Sequence, residues 1–389
     1  MDNVTHSLIG VLAADCLKVK SEKERITLRW AGVISSNLPD ADFLYAGITG
    51  GKLGYLVHHR GHTHTLGLVI PLAFLVLGIV MGWRRDTTSR AKIFWLSVVG
   101  IALHIAMDTL NNYGTHPFWP FSSRWIYGDT LFIVEPYLWI VLLPLLFFHP
   151  SRWMKRTAAA IFVALFGLVL FIPLTTAAIK GALALFGFGW FFLCHKVREK
   201  RLPLTCGLGL LGVISVFALC GLEANRIILE AVPSAIEISK TPLPANPVCW
   251  SLWVREDSNT QYLIHRGEVS LFPHLVRVQD CPRRRSDESV AGYYQDRLPN
   301  TDHFRWSGLY NRSRADLRQF IDDHCEMNAL ARFARLPFWE RTPHGIIIGD
   351  LRFDWDHNLS FAKIPIGEAA CPGFLPDWRT PLWDWTRGF

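Results

Sequence analysis

Six apolar runs punctuate the first 222 residues, at about 67–83, 93–107, 131–148, 157–174, 181–195 and 203–222. They limit the fold more than any other feature, because a helix needs ~20 apolar residues to cross the hydrocarbon core of a bilayer. Several fall short of that length and require the helix to extend or tilt. Two further helical stretches, Val4 to Leu17 and Ile26 to Ser36, are too short to cross alone and read as buried or half-inserted helices. With 50% hydrophobic and 19% charged residues and a mean hydropathy of +0.20, the chain is too apolar for an ordinary soluble protein of 389 residues. The expected fold class is a mainly α membrane protein, a helical transmembrane bundle followed by a soluble C-terminal α+β domain.

The net charge of +7 is placed where it sets topology and not where it would bind nucleic acid, which is not expected as a partner. The clusters RRDTTSRAK (84–92), SRWMKR (151–156) and HKVREKR (195–201) each follow an odd-numbered run. They therefore fall on one side of the bilayer, the cytoplasm by the positive-inside rule. The opposite, periplasmic side then receives residues 58–65, the loop after Asp108 and everything beyond the sixth run. The N-terminal MDNVTHSLIG lacks a basic leader, so no cleaved signal peptide is expected. The lipid bilayer is the expected partner, and the inner membrane of a bacterium the expected location.

Three segments follow from this reading: 1–150, a helical membrane part; 151–222, additional transmembrane helices; and 223–389, the soluble domain. Beyond Glu223 no long apolar run remains. VCWSLWV, QYLIHRGEVSLF and HGIIIGDLRFDW suggest strands, and SRADLRQFIDDHCEMNALARFARL a helix. The basic run at 283–285 reads as a solvated loop. Cys249, Cys281, Cys325 and Cys371 form an even set compatible with disulfides in an oxidising compartment, or with four buried thiols. Their pairing does not follow from spacing.

Chemistry-bearing residues gather in the first 130 positions: Asp2 and His6, Asp40 and Asp42 in NLPDAD, four histidines in HHRGHTHT (58–65), and His104 with Asp108 in HIAMD. His104 and Asp108 are four apart, so one helix presents both on the same side. Two ionisable groups at the end of an apolar helix are costly unless a metal, a partner or a water-filled cavity compensates. Pro39 steers the chain out of a helix, which puts Asp40 and Asp42 on a turn. Adjacent imidazoles repel when protonated and are best explained as neutral metal ligands; His59 and His64 are the preferred pair. Arg60 offers a planar fork that matches phosphate or carboxylate oxygens. If the two short N-terminal helices form a hairpin entering from the periplasmic side, His6, Asp40, His59, His64, His104 and Asp108 meet in one layer.

MDNVTHSLIG, SSNLPDADFL, HRGHTHT, LHIAMDTLNNYGTHPFWPFS and YGDTLFIVEPYLW resemble, in order and spacing, the bacterial inner-membrane YdjM/YbcI-like family, described as metal-dependent hydrolases. The resemblance covers about residues 1–150. That family is thought to be distantly similar to zinc-dependent phospholipase C and the S1/P1 nucleases. It implies metal ligation by His6, Asp40, His59, His64, His104 and Asp108, with Asp42 and Asp129 as further candidates. His62 and Glu135 depart from the family's pattern.

The expectation is then a membrane-bound hydrolase using a divalent metal, zinc or manganese, at the periplasmic face. Asp42 would serve as general base and Arg60 would stabilise the phosphate of a small-molecule or lipid phosphoester. The alternative is a non-enzymatic membrane protein whose metal is structural and whose C-terminal domain meets a partner.

Overall fold

The structure is a computed structural model that describes all residues except 46–47, 85–87, 150, 172–175, 283–288, 356–358, 360, 368–370 and 388–389. The basic run at 283–285 and the expected turn at 172–175 lie outside the described residues.

Helix α1 (Asn3–Asp15) begins where Asp2 caps it, its Oδ1 accepting the Thr5 N–H at 2.9 Å. Ser21 caps α2 (Glu22–Ser35) in the same way, with Glu22 and Glu24 favourably placed against the positive end of the helix dipole. After α2 come a 3₁₀ turn over Leu38–Tyr45, α3 (Gly51–His58), α4 (Val69–Trp83) and α5 (Arg90–Thr109). Glycines bring α1, α2 and α5 together. A Cβ on Gly10 would lie 2.4 Å from the Gly32 carbonyl oxygen, and one on Gly100 would lie 2.1 Å from Ser35 Oγ. Close backbone approach over small residues is how helices associate in lipid, where no hydrophobic force drives them together. Here it brings the end of α2 within reach of the side chains of α5.

Among the described residues four helices are long and apolar enough to cross a membrane: Leu66–Trp83, Arg90–Thr109, Ala177–Lys196 and Glu199–Ala231. The 131–148 run passes from Asp129 at the cap to His149 at the basic end, but not as one long helix. It folds as α6 (Pro136–Leu142) and α7 (Pro144–Phe147), because Pro144 has no N–H to continue the ladder. At 1.5 Å per residue these two helices reach about 18 Å, against a core of ~30 Å. Next come α8 (Arg152–Phe171), α9 (Ala177–Lys196) and α10 (Leu202–Ala231). The loops carrying the basic clusters meet at one end of the bundle, where the start of α2 pairs with each. Lys92 reaches Glu24 at 2.7 Å, His149 reaches Glu22 at 3.2 Å, and Glu199 reaches Arg25 at 3.1 Å.

The C-terminal part is α+β as expected. An antiparallel sheet in the order β1 (Ala235–Leu243), β2 (Asn246–Glu256), β3 (Gln261–Ser270), β4 (Phe304–Ser313) precedes α11 (Arg314–Asp323) and α12 (Cys325–Leu330). A second antiparallel sheet, β5 (Pro337–Thr342), β6 (Gly345–Asp350), β7 (Lys363–Pro365), leads to α13 (Pro381–Arg387). The long helix expected after Ser313 is broken at His324, whose backbone is extended. Cys249 is bonded to Cys281 and Cys325 to Cys371.

This part shares one core with the membrane part. Leu53, Leu56 and Val57 of α3, with Tyr113 and Trp125, pack in the same cluster as Trp253, Phe333 and Trp378. Trp378 Nε1 donates to the Val57 carbonyl at 2.8 Å, and Trp125 Nε1 to the Arg332 carbonyl at 2.8 Å. Residues 235–387 therefore sit as a cap on the loops that carry the histidine motif, on the end of the bundle away from the basic clusters.

Candidate metal centre

Asp40, His64, His104 and Asp108 converge. Each offers one ligand atom, and these atoms all lie within 4.8 Å of one another. The helix end at Ser36 and the helix α5 set the geometry. His104 Nδ1 lies 2.7 Å from the Ser36 carbonyl, which can only accept, so Nδ1 carries the proton and neutral His104 turns the lone pair of Nε2 inward. The same logic fixes His64. The Thr63 hydroxyl donates to Asp42 at 2.8 Å, which leaves its oxygen to accept from His64 Nδ1 at 3.0 Å. The two Nε2 atoms then face each other at 3.0 Å. Asp40 Oδ1 is 3.4 and 3.5 Å from them, and Asp108 Oδ2 is 3.3 and 3.6 Å. Two imidazole lone pairs and two carboxylate oxygens pointing at one space repel unless a cation lies among them. This N/O donor set suits zinc or manganese.

Asp42 organises the loop and is not one of the four. Only 3% exposed, it accepts from His59 Nδ1 at 2.7 Å, from the Arg60 N–H at 3.0 Å and from Thr63. Burial pushes its carboxyl up, but the hydrogen bond and charge of His59, with His64 and Thr63, outweigh that and hold it below the ordinary carboxylate value. His59, stacked on Tyr55 with ring centroids 4.7 Å apart, thus has Nδ1 fixed by a carboxylate and Nε2 left over.

Arg60 adopts a left-handed backbone, φ 60°. That turns its N–H to Asp42 and its side chain inward, where Nε lies 3.0 Å from Asp108 Oδ2 and Nη1 3.0 Å from Asn111 Oδ1. Its guanidinium also lies 4.5 Å above the Tyr113 ring. At 2% exposure it is engaged with the protein. His6 borders the cluster: its ring stacks on His104 at 3.9 Å and Nε2 lies 3.2 Å from Asp108 Oδ1. The amino group of Met1 also contacts Asp108. Asp129 stands apart, both oxygens bonded to Arg335 Nη1 at 3.0 and 2.8 Å. Glu135, the other departure, caps α6 and accepts the Ala245 N–H at 3.2 Å.

The remaining histidines of the motif face the cap. His58 lies over Phe374 and His62 meets Trp119 and Trp378 edge-on. Sequence reasoning missed Ser36, Asn111, Trp378 and His116. His116 is completely buried against Trp378, centroids 3.8 Å apart, and neither ring nitrogen has a hydrogen-bond partner among the described residues.

Burial pushes the His116 pKa down to about 3. Its folded value is thus below its unfolded value of roughly 6.5. The stability it contributes is complete above pH ~6.5 and is lost by about 1.4 kcal/mol per pH unit as pH falls towards 3. Wild type should therefore lose more stability than His116→Phe between pH 6.5 and 4, measured as unfolding midpoints at each pH. Parallel pH dependence in the two proteins would refute this.

Membrane-crossing helices and a buried Asp/His cluster able to hold a metal ion define a metal-associated membrane protein. Residues 1–215 match the family model described as YdjM inner membrane protein, which is more than half of the chain, and the chain belongs to that family. It is also similar to the protein described as "Uncharacterized protein YfhP" of Bacillus subtilis (strain 168). The two are 23% identical over 145 residues, 36% of this chain and 43% of that relative's length. No solved structure matches.

Proposed function

We propose that this protein is a metal-dependent hydrolase of the inner membrane, acting on a phosphoester, first of all a lipid one, with its site on the periplasmic face. The observation that carries the reading is the Asp42–His59 pair beside the four convergent donors. Asp40, His64, His104 and Asp108 would hold a divalent ion, which would supply Lewis acidity for a phosphoryl oxygen and for water. His59, oriented through Nδ1 by Asp42, takes the proton on Nε2. The sequence alone points to His59 as a ligand and Asp42 as the base. What supports exchanging these roles is that Asp42 already accepts three hydrogen bonds, whereas His59 Nε2 makes none among the described residues and its side chain is 12% exposed. Arg60 holds Asp108 in place and does not act on the phosphate, a reading supported by its burial and its partners. The three basic loops, gathered at the far end, support a periplasmic placement of the cap.

A second reading has a specific observation behind it: His64, His104 and Asp108 are fully buried. A closed site of this kind also suits a structural metal that seats the cap, since structural sites leave no open position.

The test is a hydrolysis screen of phosphomonoesters, phosphodiesters and phospholipids by the purified full-length chain loaded with zinc or manganese. Turnover is expected in wild type. His59→Gln should retain the metal while losing roughly 10²- to 10⁴-fold in rate, the range for removing a general base. Metal retained in wild type without turnover on any substrate would sink the hydrolase reading and leave the structural one.

A further inference from the structure

Two cavities adjoin at the basic end of the bundle, the end away from the metal cluster. The first, about 700 Å³, lies between the ends of α1 and α7 and the starts of α2 and α10. Lys18, Arg25, Arg29 and Lys200 line it against only two carboxylates, Asp15 and Glu199, a surplus of two positive charges. Arg29 is 4% exposed and bonded to Asp15 through Nε at 2.7 Å and Nη2 at 2.5 Å, yet its Nη1 has no acceptor among the described residues. A buried guanidinium N–H left unpaired is costly, and an acceptor entering the cavity would remove that cost. Arg25 is paired with Glu199 at 3.1 Å. Lys18 and Lys200 are exposed and have no carboxylate within ion-pair distance among the described residues.

The second cavity, about 730 Å³, runs between α1, α5 and α10. Its wall is apolar, from Ile9 and Leu12 to Leu103, Met107, Leu208 and Leu211, with Lys92 the one charged residue on it among the described residues. Helices α5 and α10 are both long and apolar enough to cross the membrane, so whatever fills this groove is apolar. Cys16, Leu17 and Pro203 belong to both walls, so the two cavities are immediate neighbours. Free phosphate would satisfy the first and leave the second empty; a neutral lipid would do the reverse. Basic pockets between transmembrane helices bind anionic headgroups.

We propose that the two adjoining cavities bind one anionic phospholipid, its phosphate at Arg29, Lys18 and Lys200 and an acyl chain in the groove between α1, α5 and α10. The site is independent of the hydrolase reading. Its headgroup end lies at the opposite end of α5 from Asp108, while its acyl groove runs along α5 as far as Met107, so its ligand braces the helix that carries two of the four metal donors.

The test follows the unfolding midpoint of the full-length protein in detergent as phosphatidylglycerol, phosphatidylcholine or inorganic phosphate is added. Phosphatidylglycerol should raise the midpoint, and the other two should not. Lys18→Gln with Lys200→Gln should leave the lipid-free midpoint unchanged, because both side chains are exposed, and weaken phosphatidylglycerol binding roughly 30-fold, at about 1 kcal/mol per charge. Gly207→Phe should weaken binding independently by filling the groove, since a side chain at Gly207 meets open space. Equal stabilisation by phosphatidylcholine or by inorganic phosphate, or a wild-type response from the double variant, would overturn the proposal.

Discussion

His104→Ala is expected to remove divalent-metal binding from this protein while leaving it folded in the membrane. His104 contributes Nε2 to the cluster and is fixed by a single hydrogen bond to the Ser36 carbonyl. Its loss therefore takes away a donor without stranding a charge. Because His104 is itself a donor, affinity should fall by more than the roughly 10- to 100-fold that removal of a ligand's outer partner costs. Asp108→Asn should behave differently. It weakens the metal site too, but it also leaves the Arg60 guanidinium, at 2% exposure, without the carboxylate 3.0 Å from its Nε. Breaking a buried pair by deleting one partner costs about 3–5 kcal/mol, so this variant should lose stability even in chelator. Titration of zinc into both variants, with unfolding followed in excess chelator, separates the two effects. Equal metal affinity in wild type and His104→Ala would show that Nε2 is not a ligand.

Arg335→Met is the second large effect. Arg335 joins the membrane part to the cap: Nη1 holds both oxygens of Asp129, Nε reaches Glu237, and Nη2 donates to the Ile238 carbonyl at 2.7 Å. Removing it leaves two carboxylates that are almost fully buried. A loss of about 3–5 kcal/mol is expected, read as a lower urea midpoint together with faster proteolysis of the cap. Adding Asp129→Asn and Glu237→Gln to the same chain should restore most of it, because the residual charges are then gone. A single variant as stable as wild type would mean that the cap is seated by its shared apolar core alone.

The local part of this architecture was legible from the amino acids. Asp40, His64, His104 and Asp108 were named from residue type, the i, i+4 spacing on α5 and the proline turn, and they meet. The basic clusters converge at one end, as the positive-inside pattern requires. Other features depend on contacts that leave no spacing signal. Trp378 covers a motif more than 300 residues before it, and Arg335 holds an aspartate 206 positions away. The roles of Asp42 and His59 turn on which ring nitrogen of His59 carries a proton, and that is set by its contact with the Asp42 carboxylate 17 residues before it. The division of the 131–148 run into α6 and α7 has its signal in Pro144.

The most direct test of the central claim, that Asp40, His64, His104 and Asp108 together hold a divalent ion, is metal analysis of the purified full-length protein after loading with zinc or manganese and removal of unbound ion. A stoichiometric amount in wild type and its loss in a His64→Ala, His104→Ala double variant is the expected result. No retained metal in wild type, or the same amount in both proteins, would contradict it.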